Sequence, residues 1–213
     1  MKTLTIIFYG ILIFLFSSTT ESYGQDADLH ISKNKNRYSL LIEIYHQDTT
    51  ERYSVNCFAE PVTHLPDPVK MHLIKKLLCF EKDTSLCVWP VRKLHPLSTQ
   101  LHIPFSNDYR LQVEALLLIN LLAFGSDVFV FSPFPVLQNI NTGEEIGIDQ
   151  MTISKVYSVY RDWFRRISLF SEEGFTFPDL SKIGIKWFGM DSTPINFETM
   201  GKWSTYFDCI EIE

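Results

Sequence analysis

Three stretches of the chain carry apolar residues at helical spacing. The first begins at Asp67, an N-cap residue type, followed by Pro68 at the first helical position. One apolar arc then contains Val69, Leu73, Ile74, Leu77, Leu78 and Phe80, and the opposite face contains His72, Lys75, Lys76 and Cys79. The pattern predicts an amphipathic helix that packs one side on a core.

The second stretch is apolar almost all round. It runs from an N-cap at Asn107 or Asp108 to Phe124, where Gly125 supplies a stop signal. Its polar residues point in different directions and form no polar face: Gln112, Glu114 and Asn120. Since a helix without a polar face is normally buried, we expect this one to be the central element of the core.

The third stretch starts at Asp149, which we expect to cap the helix, and ends near Gly174. Its apolar positions keep a helical period throughout: Ile153, Val156, Tyr157, Tyr160, Trp163, Phe164 and Ile167. The pattern predicts a second amphipathic helix against the core.

Elsewhere the signals are weaker. Residues 26–36 are polar and predict a loose leading segment, while residues 37–47 have helical spacing but enough β-branched and aromatic side chains to leave a strand open. Prolines between residues 85 and 105 favour short extended pieces, and residues 141–143 favour a turn. Residues 175–213 are rich in aromatics without a clear period.

The predicted fold class is mainly α, with α+β as the alternative: a compact domain around a buried central helix, with short extended segments and an irregular C-terminal tail.

The first 24 residues have the three parts of a secretory signal peptide. Lys2 is followed by the apolar run 4–16, and Ser22 and Gly24 are small residues before a cut at Gln25. Thirteen apolar residues reach about 20 Å as a helix, short of the roughly 30 Å hydrocarbon core, so an uncleaved anchor is the weaker alternative. We expect export to the periplasm or medium, one globular domain over residues 25–213, and no stable membrane span after cleavage.

Composition narrows the class of protein. A hydrophobic fraction of 46% with 14% aromatics suits a packed core and argues against disorder. There are 19 Lys and Arg against 25 Asp and Glu, a net charge of -6. Since nucleic-acid binders need a basic face for phosphates, the balance argues against nucleic acid as a partner.

Four cysteines allow three complete pairings: Cys57, Cys79, Cys87 and Cys209. A disulfide between Cys79 and Cys87 across the short intervening loop suits an oxidising compartment. The alternatives are a Cys79 thiol activated by Lys75 and Lys76, and a Cys79 thiol buried by the tail or by a different helix register.

Glu114 is the carboxylate of most interest, because it lies in the helix expected to be buried, where an unpaired charge is costly. Arg110, one turn earlier, is the natural partner for a structural ion pair. A catalytic role for Glu114 is the less favoured alternative.

Arg161, Arg165 and Arg166 form a basic ridge on the third helix, with Asp162 placed to pair with Arg166. The ridge would suit an acidic partner, although an ordinary solvated helix face has the same appearance. Trp187 and Trp203 in the tail are further candidates for an interaction surface, the alternative being that the tail aromatics complete the core.

Known catalytic and metal-binding spacings are absent from the sequence, and we expect no cofactor and no metal site. The combination predicts an exported protein-binding or interaction module, of inhibitor or immunity type, whose partner is another exported or envelope protein. The alternative is an extracytoplasmic hydrolase with a non-standard site in the loops that carry His64, His95 and His102.

Overall fold

A computed structural model describes residues 26–55, 60–91, 104–125, 134–146, 149–169 and 177–190. In these ranges the chain forms two antiparallel sheets, one of three strands and one of two, together with helices. The helices comprise two 3₁₀ helices, Leu78–Lys82 and Leu180–Ile183, and four α-helices: α1 (Glu60–Thr63), α2 (Asp67–Leu77), α3 (Leu111–Phe124) and α4 (Gln150–Leu169). The fold class is therefore α+β.

The first sheet has the order β1-β2-β3, with β1 at Asp26–Asn34, β2 at Arg37–Tyr45 and β3 at Thr50–Ser54. β2 turns one face into the core, where Leu40, Ile42 and Ile44 are fully buried. The β1–β2 turn needs a left-handed residue, and Lys35 supplies it with φ of 56°. This sheet covers one side of the helical core.

The sheet corrects the predicted mainly α class, as well as the loose segment predicted for residues 26–36. The same apolar residues of 37–47 fit a period of 3.6 and a period of 2, so spacing alone could not decide between helix and strand. Residues 37–45 form a strand because β1 pairs with them along its whole length and supplies Ala27 to the core. Backbone pairing between two strands overrides the helical spacing.

The central helix is confirmed. In α3, twelve consecutive residues from Leu111 to Leu122 are buried, and Gly125 ends the helix with φ of 63°. α3 begins at Leu111, later than predicted, because the residues before it are extended: Tyr109 O accepts from Cys87 N at 3.0 Å. α2 buries Leu73, Ile74 and Leu77 against the same core, as predicted. Its N-cap position is Pro66 with no side-chain cap hydrogen bond, so Asp67 is the first helical residue and not the predicted cap.

The predicted capping of the third helix is also confirmed. The Asp149 carboxylate accepts from Thr152 N at 2.8 Å and from Thr152 Oγ1 at 2.7 Å, and α4 follows. These bonds satisfy an amide that has no partner inside the helix. The predicted stop at Gly174 lies outside the described residues.

Residues 177–190 of the tail form regular elements, which corrects the predicted irregular character of this part. The 3₁₀ helix Leu180–Ile183 leads into β5 (Ile185–Trp187), which pairs antiparallel with β4 (Leu137–Asn139). A tight turn at residues 140–143 follows β4, as predicted, with Gly143 at φ of 69°.

None of the helices in the described ranges is long and apolar enough to cross a membrane. The predicted signal peptide, residues 1–24, lies outside those ranges.

Candidate functional site

A buried carboxylate sits where β2, the segment after Leu78–Lys82 and helix α3 meet. Glu114, on α3, is completely buried. Its Oε2 accepts from Leu40 N at 3.0 Å and lies 3.6 Å from Cys87 Sγ, and its Oε1 accepts from Ser39 Oγ at 3.2 Å. Helix, strand and loop are thus joined by one side chain.

The Glu114 carboxylate fills a gap along the edge of β2 that faces β3. Tyr38 pairs there with the 86–88 segment, since Tyr38 N donates to Leu86 O and Val88 N donates to Tyr38 O, both at 2.8 Å. β3 pairs only from Leu41 onward. Because amides of alternate residues point to the same edge, Leu40 N faces the space between these two partners. The Glu114 carboxylate occupies that space and accepts the amide hydrogen that no strand receives.

Burial governs the protonation of this cluster. Removal from water raises the pKa of Glu114 to about 7, although the hydrogen bonds from Leu40 and Ser39 act in the opposite direction. Burial, with the nearby Glu114 charge, raises the pKa of the Cys87 thiol and that of the Tyr109 phenol well above their ordinary values. A nucleophilic thiol needs the thiolate form, so Cys87 here behaves as a buried, inert thiol.

The ion pair predicted between Arg110 and Glu114 is not the arrangement found. Arg110 Nη1 donates to Thr84 O at 2.7 Å, while the Glu114 carboxylate takes its hydrogen bonds from β2. Arg110 is the N-cap residue of α3, and its carbonyl accepts from Glu114 N at 3.1 Å, so the two residues are one turn apart, but the extended backbone at Arg110 directs its side chain away from the carboxylate. The strand partners could not be read from the sequence, because they depend on how β2 docks on α3.

The predicted Cys79–Cys87 disulfide is likewise not formed, and both residues are free thiols. Cys79 is exposed on the 3₁₀ helix Leu78–Lys82, with Sγ 3.6 Å from Lys75 O. Cys87 instead faces inward to Glu114. The Cys79 thiol is therefore exposed to solvent, and the Cys87 thiol is buried in the core. Cys57 and Cys209 lie outside the described residues.

Among the three predicted arginines of α4, Arg161 is bound to the end of another helix. Arg161 Nη1 donates to Glu81 Oε2 at 2.6 Å, and its guanidinium lies 6.0 Å from the centre of the Tyr157 ring. The arginine holds the pKa of Glu81 below its ordinary range, against the effect of burial. Arg161 therefore ties α4 to the end of the Leu78–Lys82 helix and is only partly available to a partner.

The other two arginines lie in a continuous exposed row along α4. Arg165 is exposed, and its Nη1 contacts Asp162 Oδ1 at 2.7 Å, so Asp162 pairs with Arg165 and not with Arg166 as predicted. The row follows one helix face, and we call it the α4 outer stripe: Met151, Lys155, Ser158, Asp162, Arg165 and Arg166. Met151, at 70% exposure, and Lys155 were not predicted, although they lie at helical spacing behind the arginines.

The remaining predicted residues do not join this surface. Trp187 is fully buried, and its Nε1 donates to the Tyr160 hydroxyl at 3.0 Å, so it belongs to the core. Trp203 lies outside the described residues, as do His95 and His102, and the predicted hydrolase site stays a prediction. His64 is exposed in the turn after α1. Over the ranges that the structure covers, no three His, Cys, Asp or Glu side chains are grouped to hold a metal.

A second polar cluster, unpredicted, lies on the solvent face of the first sheet. Glu43 accepts from Arg52 Nε at 2.7 Å and from the Tyr45 hydroxyl at 3.1 Å, and His30 Nδ1 is 3.9 Å from the same carboxylate. The Arg52 hydrogen bond holds the pKa of Glu43 below its ordinary value. Recognising this cluster requires the strand register, which brings Asp28, Glu43 and Arg52 side by side.

The chain matches no protein-family model, no curated protein and no solved structure. Its function is therefore inferred from the chemistry of its own residues.

Proposed function

We propose that this protein is an exported protein-binding module, of inhibitor or immunity type, that uses the α4 outer stripe to bind an acidic region of another exported or envelope protein. The single observation that supports it most is the charge of the stripe. It carries three cations, Lys155, Arg165 and Arg166, against the carboxylate of Asp162. The chain as a whole has a net charge of -6, so the stripe is opposite in sign to the rest of the molecule.

Charge of this kind affects recognition in two ways. An exposed cationic row attracts an acidic surface during encounter, and it disfavours a basic one. Arginine and methionine are also enriched at protein interfaces, and the stripe has two exposed arginines at one end and the exposed Met151 at the other. An acidic protein surface is thus the partner that this chemistry fits.

The support beneath the stripe favours binding further. Trp163, on the inner side of α4, is fully buried, and Arg161 is fixed by its contact with Glu81. Because α4 is fixed at both its inner face and its flank, little conformational entropy is lost when a partner binds the α4 outer stripe. The Arg165–Asp162 contact is exposed and is worth little by itself, so a partner carboxylate can compete for the arginine.

The test is a double charge reversal, Arg165→Glu with Arg166→Glu, in the purified full chain used as bait for proteins of its native envelope and secreted fractions. The matched control is Lys33→Glu with Lys35→Glu, which makes the same change in charge at two exposed positions of the β1–β2 hairpin. Captured proteins are quantified by mass spectrometry, and the binding of any candidate is then measured with purified components at two salt concentrations.

We expect the natural chain and the hairpin control to capture the same acidic protein, and the α4 reversal to weaken its binding at least about tenfold. The binding should also weaken at high salt, because exposed charge pairs are screened. A partner that binds the natural chain and the α4 reversal equally well would contradict the proposed surface. Capture that is lost equally in both variants would show a general charge effect and would also contradict it.

A further inference from the structure

The carboxylate of Glu114 is held without a cation. Over the described residues its hydrogen-bond partners are all neutral: Leu40 N, Ser39 Oγ and Cys87 Sγ. Beside it lies the buried Tyr109 hydroxyl, which has no well-formed hydrogen bond of its own. A buried charge that is compensated only by neutral dipoles is costly, and the carboxyl can avoid this cost by keeping its proton.

The titratable and charged groups around the carboxyl come from each neighbouring element. The segment before α3 contributes Tyr109, and the segment after Leu78–Lys82 contributes Cys87, which also feels Asp83. β2 contributes Arg37, whose Nη1 donates to Cys87 O at 2.9 Å and to Asp108 Oδ1 at 2.8 Å. The Arg37 guanidinium is thus already bound to a backbone carbonyl and to another carboxylate.

The two protonation states fit this place differently. A protonated Glu114 keeps an acceptor for Leu40 N and brings no charge into the core. An ionised Glu114 accepts from the same neutral donors and from the Tyr109 hydroxyl, which acts to lower its pKa, but its charge remains inside the core. Ionisation therefore disfavours the closed junction in which the 86–88 segment covers β2 beside Tyr38, and favours any form in which water reaches the carboxylate.

We propose that Glu114 acts as a proton-controlled latch: its protonated form holds the 86–88 segment on β2, and its ionisation releases that segment and makes Cys87 accessible. The latch uses groups separate from the α4 outer stripe and does not depend on the proposed function. Its closed state prevails in mildly acidic surroundings, and its open state becomes more populated as the pH rises through neutrality. The proton leaves to water, and no other chemical change is involved.

The first measurement follows amide hydrogen exchange of the full natural chain between pH 6 and pH 8.5, expressed as protection relative to the unstructured rate. Tyr38 N, which donates to Leu86 O at 2.8 Å, reports the latch, and Ile42 N, in the part of β2 that pairs with β3, is the internal control. With a carboxyl that titrates near 7 when closed and near 4.5 when open, protection at Tyr38 should fall about tenfold over this range. Protection at Ile42 should stay constant.

The second measurement is the alkylation rate of Cys87 by N-ethylmaleimide, read by peptide mapping so that other thiols do not interfere. The rate of the natural chain is divided at each pH by that of Glu114→Gln, which cancels the ordinary pH dependence of a thiol. We expect this ratio to rise about tenfold from pH 6 to pH 8.5.

Constant protection at Tyr38 across the pH range would overturn the latch. An equal fall at Tyr38 and Ile42 would also overturn it, since the whole sheet would then be loosening and not one junction. Hydrogen exchange needs no variant, so these outcomes decide the matter even if Glu114→Gln does not fold.

Discussion

Trp187 and Tyr160 form a hydrogen bond inside the core, with Trp187 Nε1 donating to the Tyr160 hydroxyl at 3.0 Å. The Tyr160 hydroxyl in turn donates to Asn120 Oδ1 at 2.8 Å. All three side chains are fully buried, and they belong to β5, α4 and α3. A short polar chain therefore joins three elements that are distant in sequence.

Removal of its middle member should be costly. Tyr160→Phe would leave Trp187 Nε1 without its acceptor and Asn120 Oδ1 without its donor, and buried polar groups without partners destabilise a fold by about 1–3 kcal/mol. Urea unfolding should show this loss in the free energy of unfolding. The control is Tyr45→Phe, which removes a hydroxyl on the exposed face of the first sheet while Glu43 keeps its hydrogen bond from Arg52, and a much smaller change is expected. Equal effects of the two substitutions would contradict the importance of the buried chain.

Cavities in the central helix should have the largest effect on stability. Leu121 is completely buried in α3, so Leu121→Ala should lower the free energy of unfolding by about 2–5 kcal/mol through lost burial and a residual cavity. Met151 is also a large apolar residue, but it is exposed on α4, and Met151→Ala should change stability by less than about 0.5 kcal/mol. Thermal or urea unfolding of the two variants compares a core site with a surface site directly.

Stability should depend on pH through Glu114. Its pKa is about 7 in the folded protein and near 4.5 in an exposed chain, so the folded state binds more protons between these values. The contribution of Glu114 to the free energy of unfolding is therefore highest below pH 4.5. It falls by about 3 kcal/mol in total as the pH rises to about 7. Urea midpoints from pH 4.5 to 8 should show this fall in the natural protein. The difference from Glu114→Gln isolates it, and parallel profiles would argue against a raised pKa.

Loss of the α4 cap should have a moderate effect. Asp149→Ala removes the carboxylate that accepts from Thr152 N and Thr152 Oγ1, and such substitutions cost about 1 kcal/mol. Asp149→Asn keeps an acceptor oxygen and should recover most of the loss. Because the pKa of Asp149 is lowered by the same hydrogen bonds, the stabilisation is present at neutral pH and is lost as the pH falls through the acidic range. Chemical unfolding of the three proteins at pH 7 and pH 3 measures both effects.

The helices could be predicted from the sequence because their signals are local. Asp149 lies before an apolar period, so cap and period predicted the start of α4, and Gly125 ends a run with no polar face, so composition and stop predicted α3. The predicted cap of α3 at Asn107 or Asp108 was wrong, because Arg110 occupies the N-cap position. The strands depended on pairing between segments. Residues 26–36 have few apolar side chains, and they become a strand only because β2 offers them a complete register.

The candidate sites also differ in whether they depend on a local sequence pattern or on contacts between distant segments. The exposure of Arg165 follows from the helical period of α4, which the sequence contains. The partners of Glu114 do not follow from any local pattern, since Ser39 and Leu40 reach it only after the sheet has docked on α3. The nearby arginine was the reasonable prediction from the sequence, but an extended backbone at Arg110 directs that side chain to Thr84.

The pairing of β4 with β5 brackets α4, because one strand precedes this helix in the chain and the other follows it. During synthesis, α4 therefore emerges well before the strand that completes its surroundings. Until Trp187 has left the ribosome, the hydroxyl of Tyr160 lacks its donor and Leu137 lacks its neighbouring strand. A nascent chain halted before residue 185 would lack both partners, so this part of the core cannot be completed until residues 185–187 are available.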